Sequence, residues 1–194
     1  MPPPDLPRVT LTGTPYRLRR EDVPGGGHWE WLGLRLGGEP AGEIAVFDPD
    51  HLCPPGFFER PCHLALELFH PALAPNPAER AGLTPASARA DTDAPPVVAG
   101  RVTAHHREEW RYTGPVTEYE ERDGSRRPVV RHVIDAPQLT LRLVVDIGGG
   151  SLLAQLRDPA EALPVGAWVT LRDGRAELVA IEPEGRPPSS CGPA

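Results

Sequence analysis

Residues 31–58 and 141–168 carry one pattern 110 positions apart, aligned without an insertion or deletion. The first copy reads WLGLRLGGEPAGEIAVFDPDHLCPPGFF and the second LRLVVDIGGGSLLAQLRDPAEALPVGAW. Each is an apolar strand, a glycine turn, a second apolar strand, then Asp-Pro-x4-Pro-x-Gly and an aromatic. Asp48, Pro49, Pro54, Gly56 and Phe58 align with Asp158, Pro159, Pro164, Gly166 and Trp168. Upstream, Arg8-Val9-Thr10 matches Arg101-Val102-Thr103 at a spacing of 93, so the second copy holds a longer loop between its anchors. A repeat constrains architecture more than any other sequence signal, because each copy must be a similar supersecondary unit. The chain is therefore expected to be a duplicated small β-domain. The repeat names no activity.

Period-two alternation and turn residues predict the strands. In the first copy these are Arg8–Thr12, Trp29–Leu36, Glu43–Phe47 and Cys62–Phe69, the last with Leu64, Leu66 and Leu68 on one apolar face. In the second copy they are Val97–Thr103, Leu139–Ile147, Leu152–Leu156, Ala167–Leu171 and Ala176–Ile181, with an Asp173-Gly174 hairpin turn joining the last two. Asp158-Pro159-Ala160-Glu161 reads as one helical turn, with Asp at the N-cap and Pro at the first helical position. Asp48-Pro49-Asp50 repeats the device.

This order, three strands, a short helical turn and two more strands, resembles the OB-fold, a five-stranded Greek-key barrel. The resemblance implies an all-β chain of two tandem OB-like five-stranded barrels, each with a helical turn between strands 3 and 4. The expected divisions are a first β-domain over 6–70, a Pro/Ala-rich linker over 71–96, a second β-domain over 97–182 and a disordered tail over 183–194. The first copy departs from the pattern, because its fifth strand is hard to find. Either Cys62–Phe69 serves as that strand or the first strand of the second copy, Val97–Thr103, completes it, and a barrel still short of a strand would have to be closed by the other domain.

Composition excludes some chemistry. All 20 basic residues among the 194 are Arg, so Schiff-base catalysis and a P-loop, which need a lysine amine, are out. Net charge is −7, which is not the basic footprint of a duplex-wrapping protein and does not suit an anionic membrane surface. No apolar run approaches the ~20 residues that span a bilayer, and the N-terminus lacks the basic and apolar regions of a signal peptide. Cys53, Cys62 and Cys191 are too few and odd in number for a disulfide framework. A soluble cytoplasmic protein is expected.

The long loop of the second copy, residues 104–137, reads as a projecting hairpin turning at Asp123-Gly124. Its arms bring Arg107, Trp110, Arg111, Tyr112 and Tyr119 against Arg126, Arg127, Arg131 and His132. The OB resemblance implies that such a loop binds oligonucleotides. Single strands are held by aromatic platforms under the bases and arginines along the phosphates. The plainer alternative is a solvated hairpin of cross-strand Arg–Glu pairs, given Glu108, Glu109, Glu118, Glu120 and Glu121.

His51, Cys53, Cys62 and His63 spell H-x-C-x8-C-H, ligand types that suit tetrahedral zinc. The spacer is not a zinc-finger spacing, and Cys53 aligns with apolar Leu163, so a small buried hydrophobe is the competing reading. No cofactor is expected, with zinc on these four residues as the alternative. Gly25–Gly27 and Gly148–Gly150 lack a phosphate-loop fingerprint, Ser151 lacks a nucleophile elbow, and His105, His106 and Glu108 have no nucleophile beside them. The expectation is a non-enzymatic protein that binds single-stranded DNA or RNA. A protein-interaction adaptor is the alternative.

Overall fold

The computed structural model describes residues 11–23, 26–37, 42–84, 95–122, 125–158 and 162–184, with the backbone alone over 110–122 and 125–138. Regular structure there is all strand, apart from one 3₁₀ turn at Pro55–Phe57. The strands are β1 (Leu11–Asp22), β2 (His28–Leu36), β3 (Gly42–Phe47), β4 (Cys62–Phe69), β5 (Ala72–Pro75), β6 (Gly82–Thr84), β7 (Val97–Arg122), β8 (Ser125–Asp146), β9 (Ser151–Gln155), β10 (Trp168–Arg172) and β11 (Arg175–Pro183). No helix among the described residues is long and apolar enough to cross a membrane.

Five strands close a barrel in the order β1–β2–β3–β11–β4, with β4 returning to β1. Alternation along each strand explains the closure. Leu32, Leu34 and Leu36 of β2, Ile44 and Val46 of β3, and Leu64, Leu66 and Leu68 of β4 are buried together. Every pairing in the ring is antiparallel except β3–β11, which is parallel where Glu177 meets Phe47. The strand missing from the first copy is therefore β11, the last strand among the described residues. It runs against β4 from Arg175↔Phe69 to Pro183↔Cys62, with a register shift between Leu178 and Ala180 that bends it around the wall.

The remaining strands join the same sheet. β8 lies between β7 and β9, β10 pairs with both β7 and β5, and β9 runs parallel to β4. One cluster of buried side chains runs from Leu11 and Leu32 through Val98 and Leu143 to Leu171 and Leu178. The strands are thus interleaved across the segments 6–70 and 97–182, and residues 72–75 and 82–84 of the expected linker are strands.

Three local expectations change. β1 extends ten residues beyond the expected Thr12 and runs through Pro15, with a register shift between Pro15 and Arg17. The gapless repeat fits the burial of β8 only in part. Aligned at 110, Leu34 falls on buried Val144, but Leu32 and Leu36 fall on half-buried Arg142 and exposed Asp146, while Leu141, Leu143 and Val145 are buried too. The turn between β8 and β9 is residues 147–150, one shorter than 37–41, and a one-residue slip exchanges the faces of a strand. Finally, Asp48 does not start a helix. Its carboxylate accepts the backbone N–H groups of Leu52 at 2.8 Å and Cys53 at 3.1 Å, and the 3₁₀ turn comes later. Gly166 has φ +93°, while its counterpart Gly56 sits in that turn, so the Pro-x-Gly elements also differ. Residues 159–161 of the expected turn after Asp158 and the Asp123-Gly124 tip lie outside the described residues.

Candidate nucleic-acid interface

The outer wall of the closed barrel carries an aromatic and arginine face. On β2 the inward leucines leave Trp29, Trp31 and Arg35 outside, and register sets Trp31 opposite Arg19 of β1 and Phe47 of β3. Phe47 stands between the two indoles: Trp29 meets it edge-on at 6.0 Å between centroids, and Trp31 tilts against it at 5.3 Å. Trp29 is 52% exposed, a large apolar surface left in water. Trp31 Nε1 has no hydrogen-bond partner.

Guanidinium groups lie over this aromatic row. Arg19 stands 5.6 Å from the Trp31 ring centroid, Arg35 4.3 Å from Tyr16, and Arg175 4.8 Å from Phe47 and 5.7 Å from Phe69. Each of the three arginines is also paired with a carboxylate. Arg19 meets Glu21 at 3.0 Å, Arg35 meets Glu43 and Glu59 at 3.3 Å each, and Arg175 Nε meets Glu177 at 2.7 Å. Tyr16 donates to Glu43 at 3.1 Å, and burial together with that hydrogen bond pushes its phenol above the ordinary value. An arginine–aromatic surface held by acids can release its cations to a stronger anion.

The hairpin expected over 104–137 exists as a backbone ladder, β7 against β8 from Arg101↔Asp146 to Arg122↔Ser125. Register sets Trp110 opposite Gln138, Arg111 opposite Pro137, Tyr112 opposite Ala136, Tyr119 opposite Pro128, Glu120 opposite Arg127 and Glu121 opposite Arg126. His132 faces Val116, and Arg131 falls in the register shift beside it. The side chains of those residues lie outside the description. Arg107 is described and exposed, and at the hairpin base His105 Nε2 lies 2.7 Å from the Leu163 carbonyl.

The residues expected to hold zinc do not form one group of ligand atoms. Cys53 and Cys62 are buried free thiols, His63 is exposed, and His51 joins a different set, His28 and Glu30. Burial, with Asp48, Cys62 and Glu30 adding to it, pushes the Cys53 thiol up to about 12, and burial raises Cys62 as well. Both disfavour the thiolate that a metal requires.

The aromatic face was within reach of sequence reasoning, since Trp29 and Trp31 alternate with Glu30 and Leu32. What hid it was the length of β1, which supplies Tyr16 and Arg19. No protein family, curated protein or solved structure matches this chain.

Proposed function

We propose that this chain binds single-stranded nucleic acid on the β1–β2–β3 face of its closed barrel, with the β7–β8 hairpin as a second contact. The supporting observation is the set Trp29, Trp31 and Phe47 under Arg19 and Arg175 on the outer wall of a five-stranded barrel. Bases stack on such platforms without sequence preference, and each stacked base is worth about 1–3 kcal/mol. The barrel is compatible with an OB-like barrel, whose strand 2–3 face binds oligonucleotides, and that analogy lends support of a weaker kind. A net charge of −7 favours flexible single strands, which can follow a local face, over duplex.

The same reading makes the chain two OB-like units that exchange fifth strands. β11 completes the first ring, and the run β4–β5, parallel to β9 and then antiparallel to β10, serves the second. Fluorescence anisotropy with labelled single-stranded and duplex oligonucleotides tests the function. Single-strand binding that weakens in Trp29→Ala supports it, and absence of binding to any oligonucleotide at low salt overturns it. In that case the adaptor reading takes over, because acid-paired arginines around an exposed indole also suit a protein partner.

A further inference from the structure

A strand places residues i and i+2 on one side, so His28 and Glu30 of β2 point the same way at one end of the barrel. His51 arrives from the loop after β3. That loop is fixed by Asp48, which is fully buried: its backbone N–H donates to the Glu30 carbonyl at 2.9 Å, and its carboxylate holds the N–H groups of Leu52 and Cys53. His51 itself has φ +54°, a left-handed conformation that costs a non-glycine residue energy and persists only where surroundings impose it.

The result is a compact donor set. Glu30 is 6% exposed. Its Oε2 lies 3.0 Å from His51 Nδ1, and its Oε1 lies 3.3 Å from His28 Nε2 and 2.7 Å from Arg20 Nε. One ligand atom from each of His28, Glu30 and His51 lies within 4.8 Å of the others, and the imidazole centroids are 5.4 Å apart. Two imidazoles and one carboxylate make a zinc ligand set that leaves a position for water. Metal–ligand bonds of roughly 2.0–2.2 Å put tetrahedral ligand atoms about 3.4 Å apart, close to these separations. Both histidines are exposed at their outer edges, which gives an ion a route in, and Arg20 holds the oxygen that the metal does not need.

We propose that His28 Nε2, Glu30 Oε2 and His51 Nδ1 bind one divalent transition-metal ion, zinc foremost, with the remaining position open to solvent. This site is independent of the nucleic-acid reading. It also differs from the four-residue Cys/His set, of which it uses only His51.

The test is zinc titration of the full chain by calorimetry after chelator dialysis, with cobalt(II) absorption as a report on coordination. It is run in a background with Cys53, Cys62 and Cys191 changed to Ser, so that thiols cannot contribute. One ion per chain is expected, with affinity lower by at least ~10-fold in His28→Ala and Glu30→Gln; loss of a group that merely orients a ligand already costs that much. His51→Gly is the decisive variant, because glycine accepts the left-handed backbone and the protein should stay folded without the imidazole. Zinc should raise the melting temperature of the parent and leave that of His51→Gly unchanged. Undiminished zinc binding in the His28→Ala/His51→Gly double variant, or no binding by the folded parent, would overturn the proposal.

Discussion

Arg142 of β8 donates through Nε to the Glu67 carboxylate of β4 at 2.7 Å, reaching past β9, which lies between them in the sheet. Its other arm donates to Glu108 of β7, also at 2.7 Å. A single guanidinium thus ties the closed barrel to the strands of the second half of the chain. Glu67 is buried, and that burial raises its carboxyl above the ordinary value despite the arginine, with Glu177 and Glu108 adding to the rise.

Arg142→Ala is accordingly expected to destabilise the fold by about 3–5 kcal/mol, since it leaves a buried carboxylate without its cation. Glu67→Gln added to it should recover part of the loss, because the stranded charge is gone. Urea denaturation of the parent and both variants measures this, and equal stability of Arg142→Ala and the double variant would contradict it. The pH dependence has a definite sign. A raised folded-state value means that the Glu67 contribution is fully present below the ordinary value of 4.5 and is lost as pH rises through the folded value. Glu67→Gln should flatten the stability curve in that interval.

Leu178 of β11 tests whether the last strand belongs to the first barrel. It is buried among the leucines of β4 and pairs with Leu66. Leu178→Ala should cost about 2–5 kcal/mol. Because one core cluster spans both halves, the loss should appear as a single shifted transition by every probe. Two separate transitions, with only the later one moved, would mean that the halves fold apart.

The inward pattern of the strands was plain in the sequence: Cys62–Phe69 was placed to the residue, and Leu64, Leu66 and Leu68 form its buried face as expected. That the first copy lacks an evident fifth strand was legible too, with a strand from the second copy as one of two ways to supply it. Its identity was not, because β11 pairs with residues more than 100 positions away and no local pattern encodes a partner at that distance. The repeat misled by one residue over β8, where glycine-rich turns absorb a length difference that an alignment of side chains hides. His28, Glu30 and His51 went ungrouped for a similar reason. His51 sits next to Cys53 in the chain, but the Asp48 loop turns it toward β2.

The thiols give a chemical check. With Cys53 pushed up to about 12 and Cys62 also raised by burial, a Cys191→Ser chain should react negligibly with an aromatic disulfide reagent at neutral pH until it is unfolded. The same shift makes stability pH-dependent at the alkaline end. The Cys53 contribution is complete below the ordinary value of 9.0 and is lost as pH rises toward about 12. Cys53→Ala should show a shallower alkaline decline than the parent. Rapid labelling of the native Cys191→Ser protein would show that at least one thiol is accessible.

The proposed binding face makes a prediction in which an acid matters as much as a base. Trp29→Ala should weaken single-strand binding by about 1–3 kcal/mol at every salt concentration, since stacking does not depend on counterions. Its cost to stability should be small, because half of the ring is already in water. Arg19→Ala should instead lower the slope of log affinity against log salt by about 0.7, the release expected from one phosphate contact on a single strand. Arg35 is held by both Glu43 and Glu59, so a phosphate must displace a carboxylate to reach it. Glu59→Gln removes one competitor and should strengthen binding and steepen the salt slope. A surface whose acids merely happen to lie near its arginines would answer differently. Glu59→Gln would then change neither quantity, and Trp29→Ala would leave oligonucleotide affinity where it was.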